Sequence, residues 1–397
     1  MTLLPRRDPA DLPLAAVVAA VAAFVLCLFA KGVLNDGDTF WHIRAGEWML
    51  DHRAVLHRDI FSFTMAGAPW STHEWFAEIL LALAWRGGGW SGVLILTGLA
   101  FGGAVLIVGR QLGRSLGGVA LLVLLVLMIG CSTPSLVARP HILALPLLAA
   151  WTVLLVRARA ADEAPPLIGA LLIAVWANLH GGYFFGLALA AGFALDALVS
   201  ASPAKRLIVV RDWAVFGALS GLAAFATPHG LDGVLFPIKL LGMSALDSIS
   251  EWLPADFSKP DTFQIALLLL IGFALLRPLR LPPVRALLLV GLIYMSLSHV
   301  RHQLLFAVIA PMLLAEPLRQ AIGAEPPAKA PRWTAPLLAA CVAALAALRL
   351  FALPATLPES LTAPRAVADA LPRALLGRPV LNAYEYGGYL IWIGGPP

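Results

Sequence analysis

Long apolar runs recur through this chain from its N-terminal region to beyond residue 350. Each run has about 17–20 residues, the length that an α-helix needs to cross a hydrocarbon layer of roughly 30 Å. The composition agrees, because 60% of the residues are hydrophobic, 13% are charged and the mean hydropathy is +0.85. A soluble domain is about half apolar, and a membrane β-barrel would need alternating segments of about ten residues. The sequence therefore predicts an all-α, polytopic membrane protein.

The apolar runs define eleven predicted transmembrane helices, at 13–33, 90–109, 116–132, 140–156, 165–179, 183–200, 213–227, 261–277, 284–299, 303–318 and 334–353. The first run follows Arg6 and Arg7, but it is longer than the roughly 7–15 residues of a signal-peptide core, and no small-residue cleavage site follows it. We therefore interpret residues 1–353 as one transmembrane domain with an uncleaved first helix. A short outward segment follows at 354–397.

The basic residues favour one orientation of these helices. With the N-terminus in the cytoplasm, every inner loop carries at least two Lys or Arg residues, as the positive-inside rule requires. These residues are Arg110, Arg114, Arg157, Arg159, Lys205, Arg206, Arg211, Arg277, Arg280, Arg285, Arg319, Lys329 and Arg332. The same orientation places all nine histidines outside, with the long segments 34–89, 228–260 and 354–397. Because the basic residues are spread over short loops, they do not form the continuous basic surface that nucleic-acid binding needs, and no nucleic-acid partner is predicted.

Common catalytic and metal-binding motifs are absent from the sequence. The cysteines, Cys27, Cys131 and Cys341, lie in or beside apolar runs, which predicts buried packing and no disulfide framework. No pair of histidines has the HExxH pattern of a zinc enzyme, and neither a GxxxxGK[ST] loop nor a GxSxG elbow is present. Zinc chemistry, ATP-driven transport and serine hydrolysis are therefore not favoured.

The first outward segment begins with two aspartates, Asp36 and Asp38, and then has helical spacing from 39 to about 50. Trp41 and Trp48 share one face of this helix, which predicts a short interfacial helix with its indoles at headgroup depth. A carboxylate before such a helix can act as a general base towards a hydroxyl group. The alternative, in which Asp38 is simply the helix N-cap, stays open.

The same carboxylates are also candidate metal ligands. Asp36 and Asp38, with Glu251 from the second long outward segment, can share a divalent cation such as Mg²⁺ or Mn²⁺ that neutralises a phosphate leaving group. Later in the first segment, Ser71 and Glu74 have the spacing of a capping box for a second short helix that ends near Arg86. For Glu74 the capping role is the favoured interpretation.

Other outward polar residues are candidates for binding a lipid-linked phosphate. Arg301, flanked by His299 and His302, lies between two apolar runs with little room for a loop. Its guanidinium suits a phosphate, although snorkelling to ordinary headgroups is the simpler alternative. The same two interpretations apply to Arg139, and His302 is the third candidate for binding the donor phosphate. The remaining candidates for an outward cavity are His42, Arg44, His73, Glu74, His141, Asn178, His180, His229 and Glu251.

The first outward loop resembles that of the GT-C glycosyltransferases. The run from Asp38 to Arg44, an aspartate followed by aromatic and polar residues and an arginine, leads to Trp48-Met49-Leu50. This pattern is similar to the first loop of protein O-mannosyltransferases, aminoarabinose transferases and the oligosaccharyltransferase catalytic subunit, in which the aspartate is the catalytic base or a metal ligand. The resemblance implies a GT-C-like fold, with Asp38 in that role and Asp36 as the second choice.

A narrower group of bacterial membrane proteins with GT-C-like character is similar over nearly the full length. The similar segments are 36–50, 69–75, 138–141, 176–182, 227–230, 251–252, 299–302 and 384–389. Members of this group continue into a soluble outward domain, whereas this chain ends at Pro397. The segment 354–397 is therefore expected to be a truncated form of that domain.

Together, the sequence and the resemblance predict a membrane glycosyltransferase. The expected donor is a polyprenyl-phosphate-linked sugar, and the expected acceptor is a glycan, lipid or protein of the envelope. The predicted location is a bacterial inner membrane, with the N-terminus cytoplasmic and the C-terminus periplasmic or extracellular. Two alternatives stay open: a non-catalytic membrane protein that transports or assembles lipid-linked glycans or envelope polymer, and a receptor or scaffold for envelope assembly.

Overall fold

The computed structural model describes residues 12–243, 246, 249–324, 331–360, 362–370, 372 and 378–394. Predictions that involve Arg6, Arg7 and Lys329 lie outside these residues. Sixteen α-helices are described: α1 Leu14–Phe29, α2 Asp38–His52, α3 Trp75–Leu112, α4 Gly118–Ser132, α5 Pro140–Leu143, α6 Leu145–Ala161, α7 Ala170–Leu179, α8 Tyr183–Ser200, α9 Arg206–Ala223, α10 Gly230–Leu241, α11 Thr262–Leu276, α12 Pro283–Ser298, α13 Gln303–Ile322, α14 Thr334–Ala347, α15 Arg365–Asp369 and α16 Tyr384–Gly394.

Several of these helices have the length and apolar composition of membrane spans. Within the described ranges, six qualify: Trp75–Leu112, Gly118–Ser135, Pro140–Ala161, Tyr183–Ser200, Val300–Ile322 and Thr334–Ala352. Shorter apolar helices lie at Leu14–Phe29, Leu167–Leu179, Thr262–Leu276 and Pro283–Ser298. The all-α fold is therefore confirmed for the described residues, and six of its helices are long and apolar enough to cross a membrane, whereas the count of eleven spans stays a prediction.

The two short helices predicted in the first outward segment are present. The first is α2. The second begins at Trp75 and is joined to the long apolar part of α3 through a kink at Gly88 and Gly89. Gly89 has a φ of +56°, a left-handed conformation that glycine adopts at low cost. The kink lets one helix leave the outward region and enter the apolar bundle without a loop.

The Trp-bearing face of α2 packs within the first outward segment. Ala45 and Met49 of α2 are buried with Leu56 in a small cluster, against which Trp41 and Trp48 pack. The tryptophans therefore help to fold the segment onto itself, and their depth in a membrane stays a prediction.

Several basic residues that were predicted in inner loops lie within helices instead. They are Arg110, Arg157, Arg159, Arg206, Arg211, Arg285 and Arg319. The loop assignment was wrong because arginine is a good helix former, so a helix can continue past the apolar run that hydropathy detects. For the same reason the predicted span 213–227 is displaced, since α9 begins at Arg206.

A buried ion-pair triad joins the ends of three helices. The Asp196 carboxylate, on α8, is 1% exposed and accepts hydrogen bonds from Nε of Arg159 on α6 and from Nε of Arg285 on α12, both over 3.1 Å. Arg159 also contacts Asp162 over 3.1 Å. Because the triad cross-links helices that are distant in sequence, it fixes one arrangement of this end of the bundle.

The C-terminal helix α16 packs on α2 and on the residues just before it. A Cβ atom at Gly388 would lie 1.8 Å from the Gly37 carbonyl oxygen, so the two backbones approach as closely as glycine allows. Trp392 packs against Trp85 with ring centroids 4.7 Å apart, and Arg44 donates to the Trp392 carbonyl oxygen over 2.8 Å. The C-terminal helix therefore covers the start of the segment 34–89.

Helices α2 and α3 also meet at a glycine, which gives a direct test of their packing. A Cβ atom at Gly46 would lie 2.0 Å from the Glu78 carbonyl oxygen and 2.8 Å from Ala82 Cβ. We expect Gly46→Ala to lower the free energy of unfolding by about 1–3 kcal/mol, the usual cost of overpacking. Thermal unfolding in detergent measures this effect. Gly103→Ala is the control because no atom lies within 4 Å of a Cβ there, and equal melting temperatures for the two variants would contradict the packing.

Candidate functional site

Arg139 is the centre of a carboxylate cluster at one end of the helix bundle, the end that the sequence predicts to face outward. Its guanidinium forms ion pairs with Asp36, with Asp38 Oδ2 over 2.9 Å and with Glu251 Oε2 over 3.4 Å. The three acids come from the loop before α2, from the first turn of α2 and from the second long outward segment. Arg139, Asp36, Asp38 and Glu251 are therefore brought together, as candidates for one site should be.

The two aspartates have different environments. Asp36 is 6% exposed and accepts hydrogen bonds from the Thr39 backbone N–H and hydroxyl, so it performs the capping role that was left open for Asp38. Asp38 is the first residue of α2, has a 26% exposed side chain and accepts a bond from Trp41 Nε1 over 3.0 Å. Asp36 is structural, and Asp38 is the aspartate that an approaching molecule can reach.

Burial and charge push the pKa values of this pair apart. Burial disfavours the Asp36 carboxylate, but Arg139 and Thr39 outweigh that cost and hold its pKa below the usual value. For Asp38, burial and the nearby Asp36 charge outweigh the opposing effect of Arg139, so its pKa is raised. A raised pKa makes Asp38 the stronger base of the two.

Next to this cluster lies a cleft with a polar and an apolar wall. Arg301 lines it and contacts Glu251 Oε1 over 3.3 Å, while its guanidinium lies 4.2 Å from the centre of the Trp252 ring. The cavity volume of the cleft is about 70 Å³. Its lining residues are Ser135, His141, Ala144, Leu145, Leu148, Trp176, His180, Gly182, Phe185, Glu251, Arg301, His302, Leu304 and Leu305. Asp38 does not line this cleft, but Arg139 and Glu251 connect it to Arg301.

Two histidines of the cleft wall each donate one ring N–H to a backbone carbonyl, which leaves the second ring nitrogen as an acceptor. His141 Nε2 lies 2.8 Å from the Ser135 carbonyl oxygen, and His302 Nδ1 lies 3.2 Å from that of Met295. A carbonyl only accepts, so these nitrogens carry the proton and the other nitrogen of each neutral ring has a free lone pair. The cleft therefore combines a cation, a carboxylate and imidazole acceptors.

A second polar group, the Glu74 cluster, lies beside the cleft and consists of Glu74, His42, His73, His180 and Glu78. Glu74 Oε1 lies 3.5 Å from His180 Nε2 and 3.6 Å from His73 Nε2, and Glu74 Oε2 lies 3.8 Å from His42 Nε2. His42 Nδ1 lies 3.2 Å from Glu78 Oε1. His180 lines the cleft, so this imidazole connects the cluster with it.

The predicted capping box is not formed. Glu74 is the residue before α3, but its carboxylate makes no capping hydrogen bond. Burial raises the pKa of Glu74 to about 8, with Arg301 and Arg139 opposing the shift. Burial also lowers the pKa of His42 and His180 well below the usual value, and that of His73 to about 4. At neutral pH the cluster therefore holds neutral imidazoles around a largely protonated acid.

Three predicted candidates have structural partners outside the cleft. Arg44 pairs with Glu47 over 3.0 Å in addition to its contact with α16. Asn178 accepts a hydrogen bond from Trp75 Nε1 over 2.6 Å and donates to two backbone carbonyls. His229 Nε2 lies 3.1 Å from the Thr72 hydroxyl. These contacts hold the outward segments together.

Sequence reasoning missed two residues of the site. Glu78 is 1% exposed and contacts His42, and an acidic residue within an apolar helix is the signal that could have identified it. Trp252, next to Glu251, supports the Arg301 guanidinium and the His299 ring, whose Nδ1 lies 2.6 Å from the Trp252 carbonyl oxygen. An isolated tryptophan in a loop gives no comparable signal.

The predicted metal ligands surround a guanidinium. Asp36, Asp38 and Glu251 each contact Arg139, which supplies the positive charge between them. In the part of the chain that the structure describes, no group of three or more His, Cys, Asp or Glu residues is arranged to hold a metal ion. As placed, these carboxylates are paired with Arg139, and a Mg²⁺ or Mn²⁺ site stays a prediction.

Comparison with models of protein families, with curated proteins and with solved structures gives no match. The function is therefore inferred from the residues of the site and from the resemblance in the first outward loop.

Proposed function

We propose that this chain is a GT-C-type membrane glycosyltransferase that uses a polyprenyl-phosphate-linked sugar on the non-cytoplasmic side of the membrane. The observation that carries the proposal is the cleft in which Arg301 faces a wall of leucines, with Arg139 and Asp38 reached through Glu251. A lipid-linked phosphate needs both an anion-binding group and an apolar surface. A carboxylate within reach supplies the base that transfer to a hydroxyl requires.

Arg301 is suited to the phosphate because a guanidinium presents donors in a planar fork. Its position is fixed by the Trp252 ring and by Glu251. An incoming phosphate competes with Glu251 for both arginines, and in doing so it loosens the hold of Arg139 on Asp38. Donor binding therefore frees the base.

In the proposed reaction an acceptor hydroxyl attacks the anomeric carbon of the donor sugar. The bond from that carbon to the phosphate oxygen breaks as the new C–O bond forms, which inverts the configuration. The hydroxyl proton passes to Asp38, and the bond electrons leave with the phosphate, whose charge Arg301 and Arg139 stabilise. Glycan, lipid and protein hydroxyls all fit this scheme.

A non-catalytic transport or assembly protein is the second candidate. It is favoured by the ion pair between Asp38 and Arg139, because a carboxylate engaged in this way is not free to accept a proton. This candidate shares the phosphate-binding cleft and differs only in the role of Asp38. A receptor or scaffold would, by contrast, tolerate the loss of Arg301.

Donor binding tests the cleft. In lipid nanodiscs, Arg301→Gln is expected to weaken binding of a fluorescent polyprenyl-phosphate sugar by roughly 10–100-fold, since a charge-assisted hydrogen bond contributes about 1.5–3 kcal/mol. Arg280→Gln is the control because Arg280 is exposed and lies outside the cleft. Equal affinity of the Arg301 variant and the wild type would exclude Arg301 as the phosphate-binding residue and favour the receptor or scaffold.

A further inference from the structure

Glu74 is separated from the cleft by a single imidazole. Its carboxylate contacts three histidines, and His180 is the one that also lines the cleft. The Gly182 backbone N–H donates to His180 Nδ1 over 2.9 Å, so the proton of the neutral ring is on Nε2, which faces Glu74 Oε1. In this tautomer the protonated Nε2 lies 3.5 Å from Glu74 Oε1, so the His180 ring lies between the Glu74 carboxylate and the cleft.

The charge of Glu74 depends on groups from every element around it. The titratable and charged residues that face or influence it are His73 and Glu78 near its own helix, His42 and Asp38 on α2, His180 before α8, and Arg139, Glu251 and Arg301 across the cleft. The two arginines favour the carboxylate, whereas Asp38 and Glu251 disfavour it. The imidazoles are neutral at pH 7, so the arginines supply the positive charge that Glu74 senses.

Any anion that occupies the cleft must therefore change the proton affinity of the Glu74 carboxylate. A phosphodiester bound to Arg301 brings one negative charge and cancels part of the positive potential at the Glu74 carboxylate. The shielding by water is small, because Glu74 and His180 are largely buried. Loss of that positive potential favours the protonated acid.

We propose that binding of a phosphodiester in the Arg301 cleft is coupled to uptake of a proton by Glu74. This inference rests on the proposed function, since it requires that the cleft binds a lipid-linked phosphate. By thermodynamic reciprocity, protonation of Glu74 tightens phosphodiester binding by the same factor as binding raises its proton affinity. The proton is released again when the phosphodiester leaves the cleft.

The direction of the pH effect follows from the pKa of Glu74, which is raised to about 8. Below that value the acid is already protonated, so binding is strong and takes up little proton. As the pH rises through about 8, the free protein loses this proton and must regain it on binding, so affinity falls. The proton uptake is largest just above pH 8.

The test is isothermal titration calorimetry at pH 8.5 on the full chain in detergent, in two buffers of different ionisation enthalpy. The probe is dihexyl phosphate, a diester whose single charge does not titrate in this range. We expect uptake of a fraction of a proton per bound diester, and an affinity several-fold higher at pH 7 than at pH 9. Dimethyl phosphate is titrated in parallel, and equal binding of the two would identify a water-soluble diester as the ligand.

Glu74→Gln keeps the shape of the side chain and cannot titrate, so its binding should show no proton uptake and little pH dependence. Glu163→Gln, at an exposed residue of the inner side, is the control and should behave like the wild type. Infrared spectroscopy is a second measurement of the same proton and does not depend on calorimetry. We expect a carboxylic-acid band that grows in the wild type when the diester is added and that is missing from Glu74→Gln. Binding without proton uptake would overturn this inference alone, whereas no binding at any pH would overturn the phosphate site as well.

Discussion

Asp38→Asn is expected to lower the rate of sugar transfer by about 10²–10⁴-fold, the range over which a positioned general base accelerates a reaction. Asparagine cannot take the acceptor proton, yet its amide oxygen can still accept the bond from Trp41 Nε1. Arg139 retains its ion pairs with Asp36 and Glu251. The variant should therefore fold and bind the donor, so the loss should appear in kcat. Transfer of labelled sugar in reconstituted vesicles measures it.

The control for this prediction lies on the same helix. Asp51 has a 60% exposed side chain and pairs with Arg86 over 2.6 Å, away from the Arg139 cluster, so Asp51→Asn should transfer at the wild-type rate. Normal transfer by Asp38→Asn at equal protein level would remove Asp38 as the base. If the wild type and the variant both bind the donor and neither transfers sugar, the transport or assembly protein would be favoured.

Asp196→Ala is expected to lower the free energy of unfolding by about 3–5 kcal/mol, the usual effect of removing one partner from a buried ion pair. The substitution leaves the Arg159 guanidinium, whose side chain is 7% exposed, without the carboxylate that it contacts over 3.1 Å. Arg285 loses the same partner. Thermal or denaturant unfolding in detergent, followed by tryptophan fluorescence, measures the change.

A surface aspartate provides the comparison for Asp196. Asp212 has a 41% exposed side chain and contacts the neighbouring Arg211, so Asp212→Ala should change stability by no more than about 0.5 kcal/mol. A similarly small effect for Asp196→Ala would show that the triad does not hold these helix ends together. Expression level alone does not decide the matter, since unfolding must be measured on purified protein.

The helical architecture could be predicted because hydrophobic length is a local property of the sequence. Each apolar run contains a helix, and α2 was predicted to within about two residues. Helix ends were harder, since Arg206 and Arg159 extend helices that hydropathy would end earlier. The packing of α16 on α2 depends on the fit of Gly388 to the Gly37 carbonyl, and no local pattern predicts such a tertiary contact.

The candidate site was only partly predictable, for a related reason. The sequence identified Asp36, Asp38, Arg139, Glu251 and Arg301 by residue type and by their outward location. It could not show that Arg139 and Glu251, 112 residues apart, form an ion pair. Nor could it show that the Arg139 guanidinium lies where a divalent metal ion was predicted. For Glu74 the local capping pattern was misleading, because three imidazoles, two of them distant in sequence, surround the same carboxylate.

The contact between α16 and the loop of the two aspartates has a consequence for observing the protein at work. Because Gly388 touches the Gly37 carbonyl, that loop cannot shift without displacing the last helix. Leu381 is 99% exposed just ahead of this helix, so a fluorophore attached there changes its surroundings whenever the helix moves. The fluorescence of such a label would therefore follow movements beside Asp38 in real time, with the binding and reacting residues left unchanged.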